Sequence, residues 1–204
     1  MIFDEPDGAT PLDPDEIAGL KFDHITTRGE LDELEQANIT QGLRWLGRRR
    51  GGDVLSGEFF RQLHIRLFGD VWTWAGTYRQ REKNIGIVSF QIAVQIRSLL
   101  DDARYWVEHA TYAPLEAAAR FHHRMVQIHP FPNGNGRHAR IAADIFLNGL
   151  FRPSGHQMCK RLRSAIRQCK ADRLYRRAAC RRWRRLCSLA RNLMLPVEVS
   201  GRVA

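Results

Sequence analysis

Residues 128–140 read Ile-His-Pro-Phe-Pro-Asn-Gly-Asn-Gly-Arg-His-Ala-Arg and lie between two stretches of helical periodicity. The segment therefore has to be a tight turn that ends one helix and opens another. It holds a histidine, a small-residue turn able to present backbone N–H groups, and Arg137 and Arg140, three apart on one face of the helix that follows. A glycine-rich turn opening a helix is an anion site, because unpaired N–H groups and the helix dipole face the ligand. Arginines on the next turn add forked phosphate contacts. A histidine just ahead of such a site is placed to move a proton near a phosphate. The residues alone predict a phosphate-handling site with His129 as base.

The flanking chain predicts a mainly α domain. Residues 1–25 hold Pro6, Pro11 and Pro14 and few large apolar side chains, so they read as an extended arm ending in a short turn. Thr27 and Glu30 form a capping-box pattern ahead of a helix over 28–47 that carries Leu31, Leu34, Asn38, Ile39, Gln41, Trp45 and Leu46. After the loop Arg48–Asp53, Ser56 caps a helix with Phe60, Leu63 and Leu67 that stops at Gly69. Trp72 and Trp74 read as core residues by size. Residues around Asn84 and Gly86 are compatible with a short hairpin. Ile92, Ile96, Leu99, Leu100, Ala103, Trp106 and Val107 predict a helix over 90–109. Pro114 opens the helix that delivers the chain to His129, and helical spacing resumes over 137–150. His122 and His123 invite a metal reading, but no acidic residue completes an HExxH pattern, and packed helix residues account for both.

The turn resembles the signature of the Fic (Fic/Doc) family, His-x-Phe-x-[Asp/Glu]-Gly-Asn-Gly-Arg-x-x-Arg. It agrees at His129, Phe131, Gly134, Asn135, Gly136, Arg137 and Arg140 and departs at Asn133, where most members carry a carboxylate. The resemblance extends to Trp74-Ala75-Gly76-x-x-Arg79 and the hairpin after it, which looks like the family's flap. It covers roughly residues 10–158. Residues 8–20 and 24–39 are similar to one mobile-element-associated subgroup, called mobile mystery protein B, encoded beside a small helix-turn-helix protein.

This resemblance implies a Fic-type helical domain over 26–158 with a flap above the active-site loop. It implies transfer of AMP from ATP to a Ser, Thr or Tyr hydroxyl of a target protein. His129 would be the general base. Gly134, Asn135 and Gly136 would hold phosphates by backbone N–H, Asn135 also by its side chain. Arg137 and Arg140 would neutralise the β- and γ-phosphates. Asn133 would stand at the Mg²⁺ position without the charge that a hard cation favours. Lys83, Asn84, Ile85 and Gly86 would form the target-binding flap, pairing with an extended peptide. Many such proteins are silenced by a glutamate that pairs with the second motif arginine; Glu30, Glu33 and Glu35 are in the segment that could reach Arg140. The capping box accounts for Thr27 and Glu30 without inhibition, and a separate antitoxin-like partner is the other route. A Doc-like phosphotransferase and a nucleotide-binding module without chemistry are the rival functions.

Net charge is +10, but from Cys159 onward there are 14 of the 32 basic and 2 of the 22 acidic residues, which leaves 18 basic and 20 acidic residues in 1–158. The basicity, and all four cysteines (Cys159, Cys169, Cys180 and Cys187), belong to a tail, 159–204, whose Cys spacing contains no CxxC pair. That tail reads either as a basic helix suited to nucleic acid or acidic lipid, or as a shifted reading frame that replaces a native last helix. The gene's nucleotide sequence decides between them. Outside the tail nothing favours nucleic acid as a partner. The sequence has no run of 18 apolar residues and opens without a basic-then-apolar leader, so a cytoplasmic protein with no membrane span is expected.

Overall fold

The computed structural model describes residues 14–49 and 51–150. Six helices follow in order: α1 (Pro14–Ile17), α2 (Arg28–Arg48), α3 (Gly57–Phe68), α4 (Ile92–Glu108), α5 (Pro114–Ile128) and α6 (Asn135–Leu150). The fold is mainly helical, as expected. Among the described residues the one β pairing is an isolated antiparallel bridge between Leu20 and Trp72. The 159–204 tail and residues 1–13 lie outside the described residues.

Local chemistry sets the helix ends. The Thr27 side chain accepts from the Glu30 N–H, and the Glu30 carboxylate accepts from Thr27 N–H at 3.1 Å, closing the capping box. Ser56 accepts from Phe59 N–H at 3.1 Å and starts α3. Pro114 occupies the first turn of α5, where its missing N–H costs nothing. Helix α6 begins at Asn135, two residues ahead of the position that spacing predicts, which brings Asn135 and Gly136 into its first turn.

Helix α2 packs on α3, α4 on α5 and α5 on α6, while α3 also touches α6. The close α2–α3 approach depends on Gly42, where a Cβ would stand 2.4 Å from the Arg66 carbonyl oxygen. Asn38, buried on the same face, donates to that carbonyl and to Asp70 and accepts from Asp70 N–H at 2.9 Å. Trp72 is buried in the core, as its size suggests, and Trp74 is half-buried against it with ring centroids 4.8 Å apart. The described part of the N-terminal arm, 14–25, lies along these tryptophans. Lys21 N–H donates to Val71 O, Thr73 N–H donates to Gly19 O, and Trp74 Nε1–H donates to Glu16 O. Residues 79–88, where a hairpin was expected, form a loop of bends without paired strands, followed by a single turn of 3₁₀ helix, Ser89–Gln91, that leads into α4. No helix among the described residues is long and apolar enough to cross a membrane.

Two histidines sit inside the core. His138 Nε2–H donates to Phe60 O at 3.0 Å, and burial lowers its pKa to about 4. His64 is likewise held far below the ordinary histidine range, by burial first and the neighbouring His138 second. Groups whose folded pKa is depressed bind protons more readily in the unfolded chain. Stability should therefore be intact above about pH 6.5 and be lost as pH falls toward 4. His138 alone is expected to lower unfolding free energy by about 2 kcal/mol between pH 7 and 5. Urea denaturation at the two pH values checks this, and a constant midpoint would refute it.

Candidate functional site

The turn between α5 and α6 is anchored by an aromatic side chain. Phe131 is fully buried, stacks on His64 with centroids 3.8 Å apart, and meets Phe60 at 5.6 Å and His138 at 5.2 Å. Burying such a ring is worth roughly 2–3 kcal/mol, ample to fix a short loop. Asn135 then closes the loop: its side-chain oxygen accepts from Phe131 N–H at 2.9 Å and its amide donates to Phe131 O at 2.7 Å. His64 holds the next residue. Its Nδ1 accepts from Gly76 N–H and its Nε2–H donates to Asn133 O at 3.1 Å, a pair that requires the neutral Nε2–H tautomer. Gly134, at φ +77, brings its backbone against Phe68, where a Cβ would lie 2.7 Å from the ring.

These contacts correct two expectations. The Asn135 side chain is spent on the Phe131 backbone and is 4% exposed, so it holds the turn and is not aimed at a ligand. Gly134 N–H donates to Asn133 Oδ1 at 2.5 Å, so it is no longer a spare donor. The donors left are the first-turn N–H groups of Asn135, Gly136 and Arg137, which have no intrahelical acceptor. Gly136 is exposed, with open space within 4 Å of where a Cβ would stand. The open backbone donors of this turn are therefore those of the α6 N-terminus.

His129 ends α5 in the left-handed region, at φ 53 and ψ 63, an unusual conformation for a residue with a Cβ. It is 5% exposed. Burial, then the charges of Arg79 and Lys83, lower its pKa to about 4, against a backbone hydrogen bond with Val126. At neutral pH the imidazole is uncharged and able to accept a proton. Arg79, the last residue of the Trp-Ala-Gly-x-x-Arg segment, is the residue that surrounds this turn. It is 2% exposed, its N–H donates to Pro130 O at 2.9 Å and its Nε–H to His129 O at 2.8 Å. Its other nitrogens donate to Arg81 O and Ile87 O, at the two ends of the flap segment. The cue was present in the Trp-Ala-Gly-x-x-Arg pattern, but nothing in a sequence says that an arginine is buried.

The flap residues Lys83, Asn84, Ile85 and Gly86 are adjacent to His129 through Gly86, whose backbone at φ +100 leaves no room for a side chain beside the His129 Cβ. Lys83 pairs with Glu16 of α1 at 2.5 Å, with both side chains nearly buried. Arg137 is engaged too: its guanidinium lies 4.8 Å from the Phe68 ring and donates to Glu35 at 2.5 Å. Glu35, 2% exposed, also accepts from Trp72 Nε1–H at 2.8 Å. Of the three glutamates expected near Arg140, Glu35 meets Arg137 instead, Glu30 is used by the capping box, and Glu33 is exposed. Arg140 is half-buried and lies beside His122, whose pKa its charge helps to depress, after burial, to about 4. His122 itself is 8% exposed on the packed face of α5. Asn133 is uncharged, and no three His, Cys, Asp or Glu side chains converge among the described residues. A magnesium ion held by the protein alone does not fit this arrangement.

Residues 54–147 match the Fic/DOC family. In fold, the chain is similar to the N-terminal FIC domain of Bep8, a VirB-translocated effector of Bartonella sp. 1-1C, with a TM-score of 0.58, 14% identity and coverage of 90% of this chain and 93% of that one. BepC from Bartonella tribocorum, solved with bound AMPPNP, gives 0.53 and 18% over 66% of this chain and 78% of that one. A Fic domain from Bartonella quintana gives 0.51 and 15% over 68% and 83%. At these identities the likeness is one of fold.

Glu35 is the carboxylate paired with Arg137, so an anion that uses Arg137 has to compete with it. Substituting Glu35→Gln keeps an acceptor for Trp72 and removes the charge, and is expected to tighten inorganic pyrophosphate binding roughly tenfold, about 1.4 kcal/mol. Calorimetry on the two proteins checks this; equal affinities would show that the pair does not compete with the ligand.

Proposed function

We propose that this protein transfers AMP from ATP to a hydroxyl side chain of a target protein, with His129 as general base. The observation that carries the reading is a neutral, buried histidine at the end of α5, joined by a core-anchored turn to the open N-terminus of α6. The Fic/DOC match over 54–147 supports a transferase of that type, and the binding of AMPPNP by the fold neighbour BepC favours ATP as donor. In the step proposed, His129 takes the hydroxyl proton as the oxygen attacks the α-phosphorus. The bond from the α-phosphorus to the bridging oxygen breaks, and pyrophosphate leaves.

The chain's residues divide the work by position. N–H groups of Asn135, Gly136 and Arg137 meet the phosphates with the positive end of the helix dipole behind them. Arg137 and Arg140 neutralise the leaving phosphates once Arg137 exchanges Glu35 for the nucleotide. Phosphate charge arriving near His129 opposes the effect of Arg79 and Lys83, and so raises the imidazole from about 4 toward a value suited to a base. The flap, Lys83 to Gly86, offers backbone to an extended target segment. Magnesium would come bound to the nucleotide, since Asn133 offers no charge. The Glu35–Arg137 pair is the inhibitory contact in this reading. The N-terminal likeness to the mobile-element-associated subgroup adds a small helix-turn-helix protein as a candidate partner.

The decisive measurement is incubation of the protein with a cell lysate and ATP labelled at either the α- or the γ-phosphorus. Label from α-ATP is expected on protein, reduced by at least about 10²-fold in His129→Ala. Label from the γ position only would replace this reading with phosphotransfer, and nucleotide binding without covalent label would leave a binding module. Asn133→Asp is expected to raise magnesium-dependent transfer; a magnesium dependence identical to wild type would remove Asn133 as the limiting residue.

A further inference from the structure

We propose that Arg79 is a positioning residue that fastens the base and the target-binding flap into one unit. The two carbonyls that follow the imidazole along the chain, those of His129 and Pro130, both accept from Arg79, one from Nε and one from the backbone N–H. The remaining guanidinium nitrogens donate to Arg81 O and Ile87 O, which bracket the five residues of the flap tip. Only a planar fork with five N–H groups reaches acceptors on two separate segments in this way; a lysine offers one point charge. The fork is 2% exposed, and its one carboxylate neighbour, Glu82, stands 3.7 Å away with a side chain 59% exposed. A buried cation satisfied mainly by carbonyls is an expensive way to fill space, whereas it defines directions well.

Gly86 closes the unit. A Cβ there would lie 2.8 Å from Arg79 Nη2 and 2.8 Å from His129 Cβ, so flap, clamp and base are in mutual contact. These bonds hold the left-handed backbone of His129 from its own carbonyl and the next one. A target strand loaded on the flap is thereby placed in fixed register with the imidazole. The inference rests on the transfer reading for what His129 does, but the clamp itself can be measured without any transfer.

The test compares wild type with Arg79→Lys, which keeps charge and loses the fork, and Arg79→Gln, which loses both. Trypsin cleavage after Arg81 and Lys83, mapped by mass spectrometry, should rise at least about tenfold in both variants as the flap detaches. Transfer kcat should fall about 10²-fold, the scale of a 1 Å misplacement, with the ATP KM changed less than about threefold. The charged groups facing His129 are Arg79 and Lys83, whose counter-charges are Glu82 and Glu16. The NMR titration of His129 should therefore move upward in Arg79→Gln and less in Arg79→Lys. Wild-type cleavage together with wild-type kcat in Arg79→Lys overturns the proposal. If Arg79→Gln fails to fold, Gly86→Ala, which collides with the same contact and leaves the charge in place, must reproduce the flap cleavage or the proposal fails. A wild-type protein that transfers no label overturns the AMP-transfer reading, and the trypsin and NMR results then decide the clamp.

Discussion

Everything polar at this site depends on one apolar act, the burial of Phe131. A turn that leaves helix N–H groups open does not satisfy its own backbone, so something else has to hold it still. The ring does so from below, in a pocket built by Phe60, His64 and His138 from α3 and α6. Asn135 and His64 then use their hydrogen bonds on the loop's own backbone, which fixes where α6 begins. The N-terminus of α6 is left open because the residues beside it are already committed inward.

That division explains what could be read in advance. The helices were legible because their apolar spacing and caps are local properties: Thr27–Glu30, Ser56 and Pro114 each act within one turn. The turn between α5 and α6 was legible because its prolines and glycines interrupt the helical spacing on either side. The partners were not. Glu35 lies on the buried stripe of α2 with Leu31, Asn38 and Ile39, but that spacing does not say that its oxygens meet Arg137 and Trp72, far along the chain. Asn135 resembled a ligand-facing side chain, and became a brace because the Phe131 backbone is the nearer, drier acceptor and donor. Residues 81–90 have the β-branched composition of a hairpin, but no strands pair there, and Arg79 donates to the carbonyls at 81 and 87.

Two carboxylates from the N-terminal helices stand on two cations of the site, Glu35 on Arg137 and Glu16 on Lys83. Both come from outside residues 54–147. These two cations are thus paired with carboxylates from a neighbouring part of the same chain. This has a physical rationale. A cluster of buried or half-buried positive charges around an open helix N-terminus would be self-repelling, and acidic partners offset that repulsion.

Position, not titration, distinguishes the histidines of this structure. His122, His129 and His138 are all held near 4, each chiefly by burial. A depressed pKa therefore distinguishes none of them. His138 gives its Nε2–H to a core carbonyl and His64 spends both nitrogens on backbone, so both are structural. His122 packs on the inner face of α5 beside Arg140. His129 alone stands where a helix ends, in a left-handed conformation, between two cations and next to a turn that opens on helix N–H groups. The same burial that holds the other three neutral holds His129 neutral too, and what sets His129 apart is its location at the end of α5, beside the turn that opens α6.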